Sequence, residues 1–212
     1  MREKEGESRS NLPIRAPLLA FGLGHSFVIR HYTFVIMSPA DLQRLSATLR
    51  DVPDFPKPGI LFKDITPVLG DGEVFRIAID ALTEATRASK PDKIVGIDAR
   101  GFILGGAVAY QLGLGFVPVR KKGKLPWKCQ SVAYALEYGE SVIEIHTDAI
   151  QRGERVVIID DLLATGGTAA AASELIRALG GEVADILFLI ELSFLNGRQK
   201  LGSAPVHSLL TY

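Results

Sequence analysis

Residues 160–168 read DDLLATGGT, directly after the apolar run Arg155–Ile159 and ahead of an alanine-rich stretch. Each part of this run suits a chemical task. Gly166 and Gly167 let the backbone turn sharply and approach a ligand closely. Thr165 and Thr168 offer hydroxyl donors. If a helix follows, the amides of Ala164, Thr165, Gly166, Gly167 and Thr168 lie at its N-terminus, where unpaired N–H groups and the helix dipole attract an anion. The run therefore reads as a phosphate cradle. It is not a Walker loop, because no Gly-Lys-Ser/Thr follows. Asp160 and Asp161 would repel a phosphate set beside them. They make sense if the phosphate sits deeper in the loop and the two carboxylates accept hydrogen bonds from sugar hydroxyls. A phosphate next to a diol describes a ribose 5-phosphate. The plainer reading makes both acids caps of a turn and the glycines its shape; the acid pair beside a strand–loop–helix pattern disfavours it.

The surrounding elements must bring this loop to an open rim. Apolar runs at Ile94–Ile97, Gly115–Arg120, Ser141–Ile145, Arg155–Ile159 and Val183–Leu192 read as strands. Helical spacing appears at Phe75, Ala78, Ile79, Leu82 and Ala85, with Asp71 as cap, over Gly101–Leu112, and over Ala169–Leu179, which stops at Gly180-Gly181. Alternating strands and helices predict an α/β fold with a mostly parallel sheet flanked by helices. RVVIID and DILFLI are apolar almost throughout, as strands covered on both faces should be. In such sheets ligands bind beyond the carboxyl ends of the strands. Two further segments follow strands and so fall on that rim: Asp98-Ala99-Arg100-Gly101, and Arg120-Lys121-Lys122-Gly123-Lys124. Taken alone, Arg100 has a surface ion pair as its lesser reading, and a basic run of this kind is usually a solvated face.

Composition narrows the class. The 212 residues fit one domain with a tail, and 47% apolar content suits a globular chain rather than a disordered one. Lys plus Arg and Asp plus Glu number 24 each, so generic nucleic-acid binding, which needs excess cations, is not expected. The single cysteine, Cys129, permits no internal disulfide and fits a reducing compartment. Residues 1–36 differ from the rest: a polar start, then an irregular apolar stretch carrying Arg15, His25, Arg30 and His31. No stretch there suffices for a membrane span, and neither a secretory nor a mitochondrial signal is apparent. At Met37 the pattern changes, with Ser38 as N-cap, Pro39 at the first helical position, and Leu42, Leu45 and Leu49 at helical spacing. The domain is expected over 37–212, with 1–36 a dispensable or disordered extension.

VVIIDDLLATGGT resembles the phosphoribosyl-diphosphate motif of the type I phosphoribosyltransferases. DFPKPGILFKDITPVL (54–69), the Ala-Arg-Gly-Phe turn (99–102), VRKKGKLP (119–126) and LEYG (136–139) narrow the resemblance to the adenine phosphoribosyltransferases, across about residues 40–212 in the family's order. It implies transfer of a 5-phosphoribosyl group from 5-phosphoribosyl 1-diphosphate to adenine, giving AMP and diphosphate. It also implies a small N-terminal hood over about 37–69, a lid over 123–139, a homodimer, and Mg²⁺ carried mainly by substrate oxygens and water rather than by a protein cage. By the resemblance, Ala99 and Arg100 hold diphosphate through backbone and guanidinium, although Ala99 stands where relatives often carry a hydroxyl or acid. Arg120, Lys121 and Lys124 supply cations at the leaving group.

The hood segment implies that Phe62 stacks on the purine, that Leu162 closes the opposite face, and that backbone groups of Leu61, Phe62 and Lys63 read its edge. A backbone carbonyl accepts from a 6-amino group but repels a 6-oxo group. Ordinary core packing is the competing reading for Phe62. Glu137 is implied in proton movement on the purine, and Tyr138 in positioning the lid or donating to the leaving side. Cys129, inside the lid, reads as incidental. A cytoplasmic salvage enzyme is therefore expected. The rivals are a non-catalytic sensor of phosphoribosyl diphosphate and an enzyme using a 6-oxo purine or orotate.

Overall fold

The computed structural model describes residues 37–55, 57–135 and 140–212. The expectations for the 1–36 extension and for Glu137 and Tyr138 fall outside the described residues. In chain order the elements are α1 (Pro39–Thr48), β1 (Arg50–Pro53), β2 (Leu61–Asp64), α2 (Thr66–Gly70), α3 (Gly72–Ala88), β3 (Lys93–Ile97), α4 (Arg100–Leu112), β4 (Gly115–Lys121), β5 (Cys129–Ala135), β6 (Glu140–His146), β7 (Arg155–Leu163), α5 (Gly167–Ala178), β8 (Glu182–Glu191) and β9 (Val206–Thr211).

Local signals start the helices where expected. Ser38 Oγ accepts the Asp41 N–H at 3.1 Å, which satisfies one orphan donor of α1. Asp71 Oδ1 accepts from Glu73 and Val74 N–H at 3.0 and 3.1 Å and caps α3. Gly180 ends the last turn after α5 at φ +87°.

Among the described residues seven strands form one sheet in the order β5-β6-β4-β3-β7-β8-β9. Pairings from β4 through β9 by way of β3, β7 and β8 are parallel; β6 is antiparallel to both β4 and β5. Successive residues of the central strands face opposite sides. Val157 and Ile159 pack with Leu82, Leu104 and Val108 under α3 and α4. Val156 and Ile158 pack with Leu175 and Ile176 under α5. All four β7 residues are fully buried, each contributing about 1.5–3 kcal/mol by the usual burial scale.

The strand order fixes where a ligand fits. β3 and β7 are neighbours, yet α4 carries the chain from β3 to β4 on one side while α5 carries it from β7 to β8 on the other. The loops after β3 and β7 therefore diverge and leave a crevice at their carboxyl ends, the usual binding position in open α/β sheets.

Four features differ from the sequence reading. β7 does not stop at Ile159: it runs through Asp160, Asp161, Leu162 and Leu163, because β8 continues beside it as far as the pair Leu163↔Glu191. The stretch expected as a lid contains β5, paired along its length with β6 at the sheet edge. The hood contains an antiparallel hairpin, β1–β2, with Val52 opposite Phe62, and β9 adds a further strand beside β8.

Candidate active site

The crevice between β3 and β7 receives most of the residues singled out above. α5 starts at Gly167, with Gly166 as its N-cap at φ +77°. The first amides of α5 thus point toward a cleft lined by Asp160, Leu162–Ala169 and Phe188, with a volume of about 80 Å³. Thr168 Oγ1 donates to Tyr134 Oη at 3.1 Å. Tyr134 comes from β5, and its ring also packs against Gly167, where a β-carbon would lie 3.2 Å from Cδ2. Sequence reasoning missed Tyr134; the alternation of CQSVAYA was the available signal.

The acid pair sits at the end of β7, against the start of α4. Asp160 Oδ1 accepts the Asp161 N–H at 2.9 Å. A β-carbon on Gly101 would fall 2.8 Å from the same Oδ1 and 2.8 Å from Ile159 O, so glycine is what lets α4 approach the carboxylate. Burial, then the negative charge of Asp161, holds the Asp160 carboxyl well above the usual carboxylate range. Such a group binds its proton more tightly in the folded chain than in the unfolded one. Its contribution to folding is complete below the ordinary carboxyl pKa, about 3.9, and is lost as pH rises through the raised value.

Asp161 is buried and takes a different partner. Arg100 Nε donates to its Oδ2 at 2.5 Å, although the two lie 61 residues apart. Burial works against the Arg100 charge, but Asp161, Asp160 and Asp64 outweigh it, and the guanidinium is held above its ordinary pKa. The residue expected at the diphosphate thus spans the crevice to a residue expected at the ribose. The peptide bond Asp98–Ala99 before it is cis, and Ala99 is exposed.

Arg100 also reaches the hood. Its Cζ lies 5.8 Å from the centre of the Phe62 ring, within cation–π range, and the Phe55 and Phe62 rings meet edge-on with centroids 5.2 Å apart. Phe62 is partly exposed rather than core. Lys63 turns its side chain away: Nζ binds Asp51 Oδ1 at 2.5 Å and stands 4.1 Å above the Tyr212 ring. Tyr212 Oη in turn lies 3.0 Å from Ser46 Oγ, so the final residue pins the hood to the sheet. Leu61 is exposed beside Phe62, and Leu162 is half-buried on β7.

The basic run forms a turn. Arg120 Nε donates to Asp98 Oδ2 at 3.0 Å and Nη1 to Lys124 O at 3.1 Å, tying this turn to the loop after β3. Gly123, at φ +80°, gives its N–H to the buried Glu144 at 2.9 Å. Lys121 and Lys124 are exposed. Among the described residues no group of three His, Cys, Asp or Glu is arranged to hold a metal ion; the carboxylates at the crevice are a pair, one already bound to Arg100.

Cys129 takes no part in the crevice. It pairs with His146 across β5 and β6, its thiol donates to Trp127 O at 3.2 Å, and burial, then the charge of Glu144, raises its pKa.

Comparison with known proteins places this geometry. Residues 69–201 match the model of the phosphoribosyl transferase domain. The adenine phosphoribosyltransferase of Anaeromyxobacter dehalogenans (strain 2CP-1) is 56% identical over 171 residues, 81% of this chain and 99% of that protein. Among solved structures, the adenine phosphoribosyltransferase of Thermoanaerobacter pseudethanolicus matches with a TM-score of 0.79 at 52% identity, over 81% of this chain and 99% of that one. The Saccharomyces cerevisiae enzyme, solved with an iminoalditol bisphosphate and adenine, matches at 0.76 and 46% identity, over 81% and 99%. The chain belongs to the phosphoribosyltransferase family, among the adenine phosphoribosyltransferases.

Proposed function

We infer that this chain transfers the 5-phosphoribosyl group of 5-phosphoribosyl 1-diphosphate to adenine, releasing AMP and diphosphate, a pentosyl transfer of purine salvage. The observation that carries the reading is the convergence of an α5 N-terminus, an acid pair and Arg100 on one crevice beneath the hood. Amides and hydroxyls of Ala164–Thr168 hold the 5-phosphate. Asp160 and Asp161 accept from the ribose hydroxyls, which requires Arg100 to leave Asp161 and turn to the diphosphate with the Ala99 backbone. Arg120, Lys121 and Lys124 surround the leaving group with positive charge, which stabilises the separating diphosphate. Mg²⁺, bound to substrate oxygens and water, neutralises diphosphate charge.

Phe62 stacks on adenine, Leu162 closes the other face, and backbone groups of Leu61–Lys63 read the 6-amino edge. Glu137 moves a proton on the purine, and Tyr138 positions the lid or donates to the leaving side. Excluding water here matters, because water competes for the cationic ribose centre. The chain acts as a homodimer, for which the exposed Ile103 and Tyr110 of α4 offer apolar surface. The reaction is cytoplasmic.

Diphosphate release, measured with each base and with and without Mg²⁺, tests the assignment. Adenine is expected to support turnover only with Mg²⁺. Hypoxanthine and guanine should fall about ten- to hundredfold below it, the cost of opposing two buried acceptors. Comparable rates with 6-oxo purines would refute the edge reading, and no release with any base would favour a sensor.

A further inference from the structure

The segment between β8 and β9 has no role in the reaction as described, yet it touches the phosphate loop from behind. A β-carbon on Gly166 would lie 2.2 Å from Gly197 O. A β-carbon on Gly197 would lie 2.2 Å from Ala164 O and 3.1 Å from Gly166 N. The backbone of Gly197, itself buried, is therefore the floor on which Ala164–Gly166 rest. Two short 3₁₀ turns, Ser193–Leu195 and Gly197–Lys200, form this floor, joined at Asn196 with φ +53°.

The next residue fixes the floor's height. Arg198 Nε and Nη2 fork onto Glu191 Oε1 and Oε2 at 2.6 and 2.5 Å, and Nη1 donates to Val206 O at 2.7 Å. Glu191 is 6% exposed at the end of β8. It also accepts from Ser208 Oγ of β9 at 2.9 Å. The fork, with the Ser208 bond, holds its carboxyl below the usual range against the opposing effect of burial. All three kinds of Arg198 nitrogen are thus committed inside the chain, and the guanidinium reads β8 and β9 together as one rigid reference.

We propose that Arg198 is a positioning residue for the 5-phosphate loop: anchored to Glu191 and β9, it sets Gly197 at the height that shapes Ala164–Gly166. This rests on the reading that Ala164–Thr168 hold the 5-phosphate. The residue touches no substrate. Its effect is confined to one end of one substrate, so it should separate the two substrates kinetically.

The test measures ribose 5-phosphate binding by calorimetry, together with KM for phosphoribosyl diphosphate and for adenine, in three variants of the full chain. Arg198→Lys keeps the charge and loses the planar fork. Gly197→Ala leaves the fork intact and pushes directly on Ala164 O; it decides the matter if Arg198→Lys does not fold. Thr165→Ala with Thr168→Ala alters the loop itself. Arg198→Lys and Gly197→Ala are each expected to weaken ribose 5-phosphate binding about tenfold, the scale of one charge-assisted hydrogen bond, and to raise KM for phosphoribosyl diphosphate alike while KM for adenine holds. If the threonine variant weakens ribose 5-phosphate and the other two do not, the positioning role is wrong and the loop assignment stands. An equal rise in both KM values would reduce Arg198 to a general structural role and overturn the proposal. If the threonine variant also binds normally, the loop assignment falls and the proposal with it.

Discussion

Replacing Gly166 by alanine puts the phosphate-loop reading under direct strain. Two costs follow from the structure. First, φ at this position is +77°, a region that costs a non-glycine residue about 1–2 kcal/mol. Second, the new β-carbon would sit 2.2 Å from Gly197 O, where real contacts stay beyond 3.0 Å. The obstacle is backbone, so the loop itself must move, by about 0.8 Å if Gly197 holds its place. A displacement of this size at a site that orients substrate costs on the order of a hundredfold in rate.

Gly166→Ala is therefore expected to lower kcat/KM for phosphoribosyl diphosphate about a hundredfold, with KM for adenine little changed. Initial rates of AMP formation, with each substrate varied in turn, read both quantities. Circular dichroism and the thermal midpoint separate a displaced loop from an unfolded chain. Wild-type kcat/KM in a folded variant would show that the loop after β7 does not hold the phosphate end, and the reasoning from Gly166 would fail.

Other outcomes follow from the same contacts. Asp160→Asn removes a carboxyl whose ionised form the fold disfavours and keeps an acceptor for the Asp161 N–H, so Tm above the carboxyl's titration should rise by about 2–4 °C while turnover drops. The two melting curves should converge as pH falls toward 4, where the raised carboxyl of the wild type is protonated; a constant gap across pH would contradict the burial argument. Deleting residues 1–36 should leave both KM values within about twofold of the full chain; an insoluble or inactive 37–212 chain would show that the extension belongs to the fold.

Local chemistry made most of the scaffold readable. Caps at Ser38 and Asp71, the glycine stop after α5 and the continuous apolar strands each reflect forces acting within a few residues. The misreadings share a different origin. Asp160 and Asp161 look like the end of a strand, because two acids are poor strand formers. Their strand is prolonged by β8, whose pairing outweighs propensity. β5 is an edge strand with exposed Gln130 and Ser131, so its alternation is weak and its sequence reads as loop. β1–β2 is closed by a long, proline-marked connection rather than a two-residue turn.

The site was legible as motifs but not as a network. The ion pair between Arg100 and Asp161, and the seat of Gly197 beneath Gly166, join residues far apart in the chain. No spacing rule announces such contacts. Lys63 shows the same limit from the other side: its neighbours in sequence place it at the hood, while Asp51 and the distant Tyr212 decide where its charge goes.

A crystal structure of the chain with AMP would test the central claim most directly. The account predicts the phosphate against the amides of Ala164–Thr168, both ribose hydroxyls on Asp160 and Asp161, and Arg100 swung off Asp161. A phosphate seated on Arg120 and Lys124 instead, with Arg100 still bound to Asp161, would contradict it.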